Sequence, residues 1–169
     1  HLRMTLGLPA HGEVGFRRTH EQAQQARSVA LMAGARVPEA VSFGDEGVAI
    51  VAVLARDLPR TRVWVSEVLG RLAVDDESYA ALRETMRVFL LTGDNYSRTA
   101  ELLILHRNTV KYRVNKVLEE LGGSIDAQRL DVALALQACH LLGAPVLQPR
   151  PRAQRDGTPA ALTGQPRSR

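Results

Sequence analysis

Between Glu77 and Gly143 the chain is punctuated as a run of short helices, and this constrains the fold more than any other feature of its 169 residues. Tyr79, Leu82, Met86, Phe89 and Leu90 recur at helical spacing behind Asp75 and Asp76, either of which can cap a helix over Glu77 to Leu91. At the other end, Asp126 to Leu142 carries Leu130, Ala133, Leu134, Leu141 and Leu142 and stops at Gly143 with Pro145 just beyond. Two shorter helical stretches, Tyr96 to Leu103 and Arg107 to Leu121, lie between them. Four helices therefore fill residues 76 to 143.

The first half follows another grammar. Thr19 and Gln22 have capping-box spacing before a helix that runs to about Ala33 and ends at Gly34. Val37 to Phe43 then reads as a strand opening into a Gly44-Asp45-Glu46-Gly47 turn. Val48 to Leu54 is short enough to be a buried strand or a buried helix. Pro59 suits the first turn of a helix bearing Val63, Trp64, Val68 and Leu69 that stops at Gly70. The expected fold class is mainly α: a four-helix helix-turn-helix domain at 74–144, preceded at 1–73 by a small α+β module, complete or truncated.

Residues 145–169 hold five of the eight prolines and almost no apolar periodicity, which predicts a disordered, solvated tail. They also hold five arginines against one aspartate, the whole of the net charge of +4, so the remainder balances 17 basic against 17 acidic residues. A claim on nucleic acid must then rest on a local cluster rather than on the overall charge. The longest apolar run, Val48 to Ala55, is far below the roughly 18 residues a bilayer crossing requires. A single Cys139 and the lack of a signal-peptide pattern predict a cytoplasmic protein with no membrane partner. The opening His1 predicts a fragment.

The local cluster exists. A short helix with Ala100 and Leu103 inward, a turn at Ile104 and Leu105, and a longer second helix make helix-turn-helix spacing, with Leu105, Val110 and Leu118 closing the cavity beneath. At 100° per residue, Val110, Val114, Val117, Leu118 and Leu121 share one face of the second helix. Asn108, Thr109, Tyr112, Asn115 and Lys116 share the other, and residues 106–116 carry four cations and no acid. This is the chemistry of a major-groove reader of double-stranded DNA. Arg107 can fork onto guanine and Asn108 can pair with adenine, each worth roughly 1–3 kcal/mol of base discrimination. Ser97, Arg98, Thr99, Lys111, Tyr112, Arg113 and Lys116 are expected to hold phosphates, setting affinity and its salt dependence. His106, at the expected N-cap, can cap backbone N–H groups or touch a phosphate, with capping the favoured role.

The run Thr99-Ala100, Leu103, His106-Arg107-Asn108-Thr109-Val110 and Tyr112-Arg113-Val114 resembles the C-terminal helix-turn-helix domain of the PucR/CdaR family of bacterial transcriptional regulators. Leu82-Arg83-Glu84-Thr85, Phe89-Leu90, Leu121-Gly122-Gly123, Arg129-Leu130 and Ala133-Leu134 extend that resemblance over about 76–143. Upstream, Gly15-Phe16-Arg17-Arg18-Thr19, Glu21, Ala23 and Ala26, then Leu69-Gly70, Leu72 and Asp75-Asp76, are similar to the degenerate GGDEF-like module that precedes this domain in the family. The resemblance implies a transcription regulator whose effector-sensing region is missing from this chain. One departure is Ile104, where helix-turn-helix patterns often place glycine.

Two rival readings compete. A cyclic-dinucleotide cyclase or other nucleotide-binding protein would need a Gly-Gly-acid-Glu-aromatic turn, whereas Phe43-Gly44-Asp45-Glu46-Gly47 lacks the paired glycines and the following aromatic. A helical dimerisation module is disfavoured by the four cations without a local acid. His1, His11, His20, His106 and His140 have no metal-ligand spacing, and no nucleophile elbow or phosphate loop is present, so neither an enzyme nor a cofactor is expected. Helix-turn-helix regulators usually bind paired half-sites, which predicts a homodimer.

Overall fold

A computed structural model describes residues 4–34 and 39–150. Its elements are β1 (Met4–Leu6), α1 (Gly12–Ala33), β2 (Ala40–Ser42), α2 (Val48–Leu54), α3 (Leu58–Leu69), α4 (Glu77–Leu91), α5 (Tyr96–Leu103), α6 (Arg107–Glu120) and α7 (Arg129–Leu142). The protein is mainly α, as expected. β1 and β2 pair in parallel, Met4 opposite Ala40 and Leu6 opposite Ser42, with α1 as the crossover between them.

α1 starts seven residues before the expected capping box, with His11 at its N-cap. Thr19 and Gln22 are interior helical residues, and the capping-box expectation is corrected. The Thr19 hydroxyl donates to the Leu8 carbonyl at 2.7 Å, and the Gln22 side-chain oxygen accepts from the Leu8 N–H at 2.9 Å. Both side chains therefore hold the incoming chain against the helix flank rather than close its end. The expected strand shrinks to Ala40–Ser42, and its residues Val37 and Pro38 lie outside the described residues.

Val48–Leu54 is a helix. Val48, Val51, Ala52 and Ala55 are buried at i, i+3, i+4 and i+7 while Ile50 and Val53 are exposed, a pattern that only helical spacing delivers. α3 has Pro59 in its first turn and leaves at Gly70 with φ 54°, as expected, and Asp57 caps it by accepting from the Arg60 N–H at 3.1 Å. Its buried side is Thr61, Val65 and Leu69, whereas Val63 is exposed.

The last four helices have the expected bounds to within a few residues. Asp76 is the cap of α4, accepting from the Ser78 N–H at 2.9 Å. α7 opens with a 3-10 turn over Asp126–Gln128, and its buried face is Val132, Ala135, Leu136, Ala138, Cys139, Leu141 and Leu142; Leu130, expected inside, is exposed. α7 packs on α1, α2 and α3 as well as on α4, so one apolar core continues across residue 73.

The tail expectation needs correction at its start. Val146 and Leu147 are buried in that core, and Gln148 exchanges backbone hydrogen bonds with Ala73 and Asp75 at 2.9 and 2.8 Å. These two apolar residues give residues 145–148 enough burial to order a proline-flanked segment. Residues 151–169 lie outside the described residues.

Candidate nucleic-acid interface

α5 begins where Asn95 accepts from the Arg98 N–H at 3.0 Å, a cap the sequence offers in an acceptor residue before the helical run. Ala100 faces inward, letting α5 and α6 approach closely. α5 ends in a left-handed residue, Ile104 (φ 53°, ψ 48°), after which the Leu105 N–H reaches back to the Ala100 carbonyl at 2.9 Å. Glycine takes that conformation freely, whereas a β-branched residue there costs roughly 1–2 kcal/mol. The turn closes as helix-turn-helix spacing requires, with the helix pair intact.

His106 is extended and occupies the N-cap of α6, its Nδ1 accepting from the Asn108 N–H at 3.2 Å. Val110, Val114 and Val117 are wholly buried beneath α6, and Leu118 and Leu121 are half-buried beside them. On the opposite side Asn108, Tyr112 and Asn115 are exposed, Tyr112 to 65%, and Lys111 on the flank and Arg107 in the first turn are exposed as well. Thr109 and Lys116 are half-buried at its edges. The first turn of α6 thus presents backbone N–H groups and helix-dipole charge beside Arg107 and Lys111, an arrangement suited to a phosphate or another anion.

Two residues grouped with the phosphate contacts are placed elsewhere. Thr99 is completely buried, its hydroxyl bonded to the Asn95 carbonyl and the Thr92 hydroxyl at 2.8 Å each, so it fastens α5 to the end of α4. Arg113 is half-buried and donates to the Thr85 hydroxyl at 3.3 Å, its head turned toward α4. Thr99 shares the inward side of α5 with Ala100, and Arg113 lies at the border of the outward face of α6; in both cases packing against α4 sets the direction. Ser97 and Arg98 are exposed, with Arg98 paired to Glu101 at 3.0 Å.

A second polar cluster lies in a cleft of about 270 Å³ between α4 and α7, lined in part by Arg83, Glu84, Cys139 and His140. Burial pushes the Glu84 carboxyl up, but the hydrogen bonds from His140 at 3.0 Å and Arg87 at 2.6 Å, with their charges, outweigh it and hold it at about 2. Burial pushes the Cys139 thiol up to about 12, which leaves it inert as a nucleophile. Among the described residues no group of three or more His, Cys, Asp or Glu is placed to hold a metal, and no helix is long and apolar enough to cross a membrane.

Residues 82–138 match the profile of the PucR C-terminal helix-turn-helix domain. This chain carries that domain. The PucR-type match spans most of α4, the α5–α6 pair and most of α7, and does not reach residues 1–73. The chain is also similar to the transcriptional activator PmfR of Paenarthrobacter nicotinovorans, 37% identical over 52% of this chain and 19% of that protein. The purine catabolism regulatory protein of Bacillus subtilis is 38% identical over 44% of this chain and 15% of its own length. YxkF of the same organism, an uncharacterized protein, is 30% identical over 59% and 32%. The chain therefore spans at most about a third of the length of these relatives. No solved structure matches it significantly.

Proposed function

We propose that this chain is the DNA-binding part of a transcription regulator, reading the major groove of duplex DNA with the outer face of α6. One observation carries the reading: α6 buries three valines completely while Asn108, Tyr112 and Asn115 on its opposite face, Lys111 on its flank and Arg107 in its first turn are exposed, with no acid between residues 106 and 116. Arg107 and Asn108 read base edges; Ser97, Arg98, Lys111, Tyr112 and Lys116 bind the phosphate backbone, and Thr109 lies at the edge of the contact. His106 serves the helix start. Similarity to a named transcriptional activator and to a purine catabolism regulator supports the regulator reading.

The domain division follows: residues 1–73 act as the regulatory α+β side, part of a GGDEF-like module, and 74–144 as the DNA-binding side. The protein works in the cytoplasm as a homodimer on paired half-sites, and a region outside this chain senses the effector. It is not an enzyme on this reading: the Gly44–Gly47 turn is occupied by its own bonds, Asp45 accepting from the Ser42 N–H at 2.8 Å and the Glu46 carbonyl from Gln137 at 2.7 Å.

Selection of genome fragments by the purified chain tests this directly. Recovery of one recurrent motif supports the regulator. Nucleotide turnover with no selected motif overturns it in favour of a cyclase-like protein.

A further inference from the structure

Ile104 is the residue whose placement the fold itself does not explain. It takes a left-handed conformation that penalises a β-branched side chain, and that side chain is 92% exposed, so no packing offsets the strain. Folding alone would favour glycine or asparagine there. A strained residue with no reward inside the fold points to a reward outside it. Its surroundings say where: Ile104 lines an open groove together with Ser97, Ala100, Glu101, His106 and Arg107. Ser97, at the start of α5, and Arg107, in the first turn of α6, both face DNA in the reading above. A backbone strand held at Ser97, with Arg107 reaching past it to the base edges, passes over Ile104. The one acid on the groove, Glu101, is paired with Arg98 at 3.0 Å, and Arg107 leaves a cation on the rim, so the groove does not repel phosphate.

We propose that Ile104 is a DNA-contacting residue, its side chain seated on the apolar edge of a deoxyribose, between the phosphate held from Ser97 and the point where Arg107 enters the major groove. This rests on the major-groove reading of α6. The contact is apolar and made to the backbone, so it adds affinity with no counterion release and no preference for sequence, unlike the cationic and base-reading contacts around it.

The test uses the whole chain, thermal unfolding, and fluorescence anisotropy against a labelled duplex recovered by the genome-fragment selection, with a mixed-sequence duplex beside it. Ile104→Gly relieves the backbone, so its Tm rises by a few degrees while affinity for both duplexes falls roughly three- to ten-fold with the salt slope unchanged. Ile104→Asn, which tolerates the left-handed conformation but is polar, loses affinity likewise. Ile104→Leu, which keeps the apolar bulk, stays close to the parent chain. Parent-like binding by both the Gly and Asn variants overturns the proposal, as does a loss in the Leu variant equal to theirs. If Arg107→Ala and Lys111→Ala also bind like the parent, the reading of α6 falls as well, which separates the two failures.

Discussion

The Thr99 hydroxyl sits in full burial between the Asn95 carbonyl and the Thr92 hydroxyl. Thr99→Val keeps the shape and removes both bonds. Because the Asn95 carbonyl keeps the Thr99 N–H and the Thr92 hydroxyl keeps the Phe89 carbonyl, the expected loss is only about 1 kcal/mol in urea unfolding. DNA affinity of the folded protein stays unchanged, and a loss of affinity without a loss of stability would return Thr99 to the interface. At this scale, residue type was legible and direction was not. Asn108 and Tyr112 emerge on the exposed face because they lie near the middle of the polar arc. Arg113 lies near its border and Thr99 on the inward side of α5, where in each case the neighbouring α4 decides the outcome, and α4 is invisible to a single-helix wheel. Ile104 was legible as an exception to the turn pattern, but its exposure depends on the finished turn.

The elements were legible where caps and periodicity agree. Asp76, His106, Gly70 and Gly143 end helices where the side chains say they should, and α4, α5 and α6 follow. α1 was misjudged because Thr19 and Gln22 have the right spacing for a cap yet bond to Leu8, fourteen or fewer residues away along a returning chain. β1 was missed because three residues carry no alternation to detect. The joint between α4 and α7 supplies a pH-dependent prediction. Glu84 is held at about 2 against an ordinary 4.5, so its bonds to Arg87 and His140 contribute stability that is complete above the ordinary value. That contribution is lost as the pH falls from about 4.5 through about 2. In Glu84→Gln the unfolding midpoint should therefore vary less with pH across that window than in the parent. Equal slopes would show that the carboxylate does not couple the two helices.

The whole molecule is tied together by α7, which has α1, α2 and α3 on one side and α4 on the other. Sequence reading divides the chain near residue 73, because composition and pattern change there, but the core does not. Leu136 is 1% exposed at the middle of α7. Leu136→Ala should cost about 2–5 kcal/mol and shift the unfolding followed by Trp64 fluorescence and by loss of DNA binding together. Two separated transitions would restore independent halves. Ending the chain at Arg150 should leave stability unchanged, whereas ending it at Gly143 removes buried Val146 and Leu147 and should cost about 2–5 kcal/mol in urea unfolding. The central claim, that α6 reads bases with one set of side chains and holds phosphates with another, is tested most directly by measuring variant affinities on the selected duplex, on its single-base changes and over a range of salt. Arg107→Ala and Asn108→Ala should each lose roughly 1–3 kcal/mol on the selected duplex and discriminate less at one base pair, while Lys116→Ala weakens every duplex alike and lowers the salt slope by about one. Equal losses from all three variants on every sequence would contradict the account.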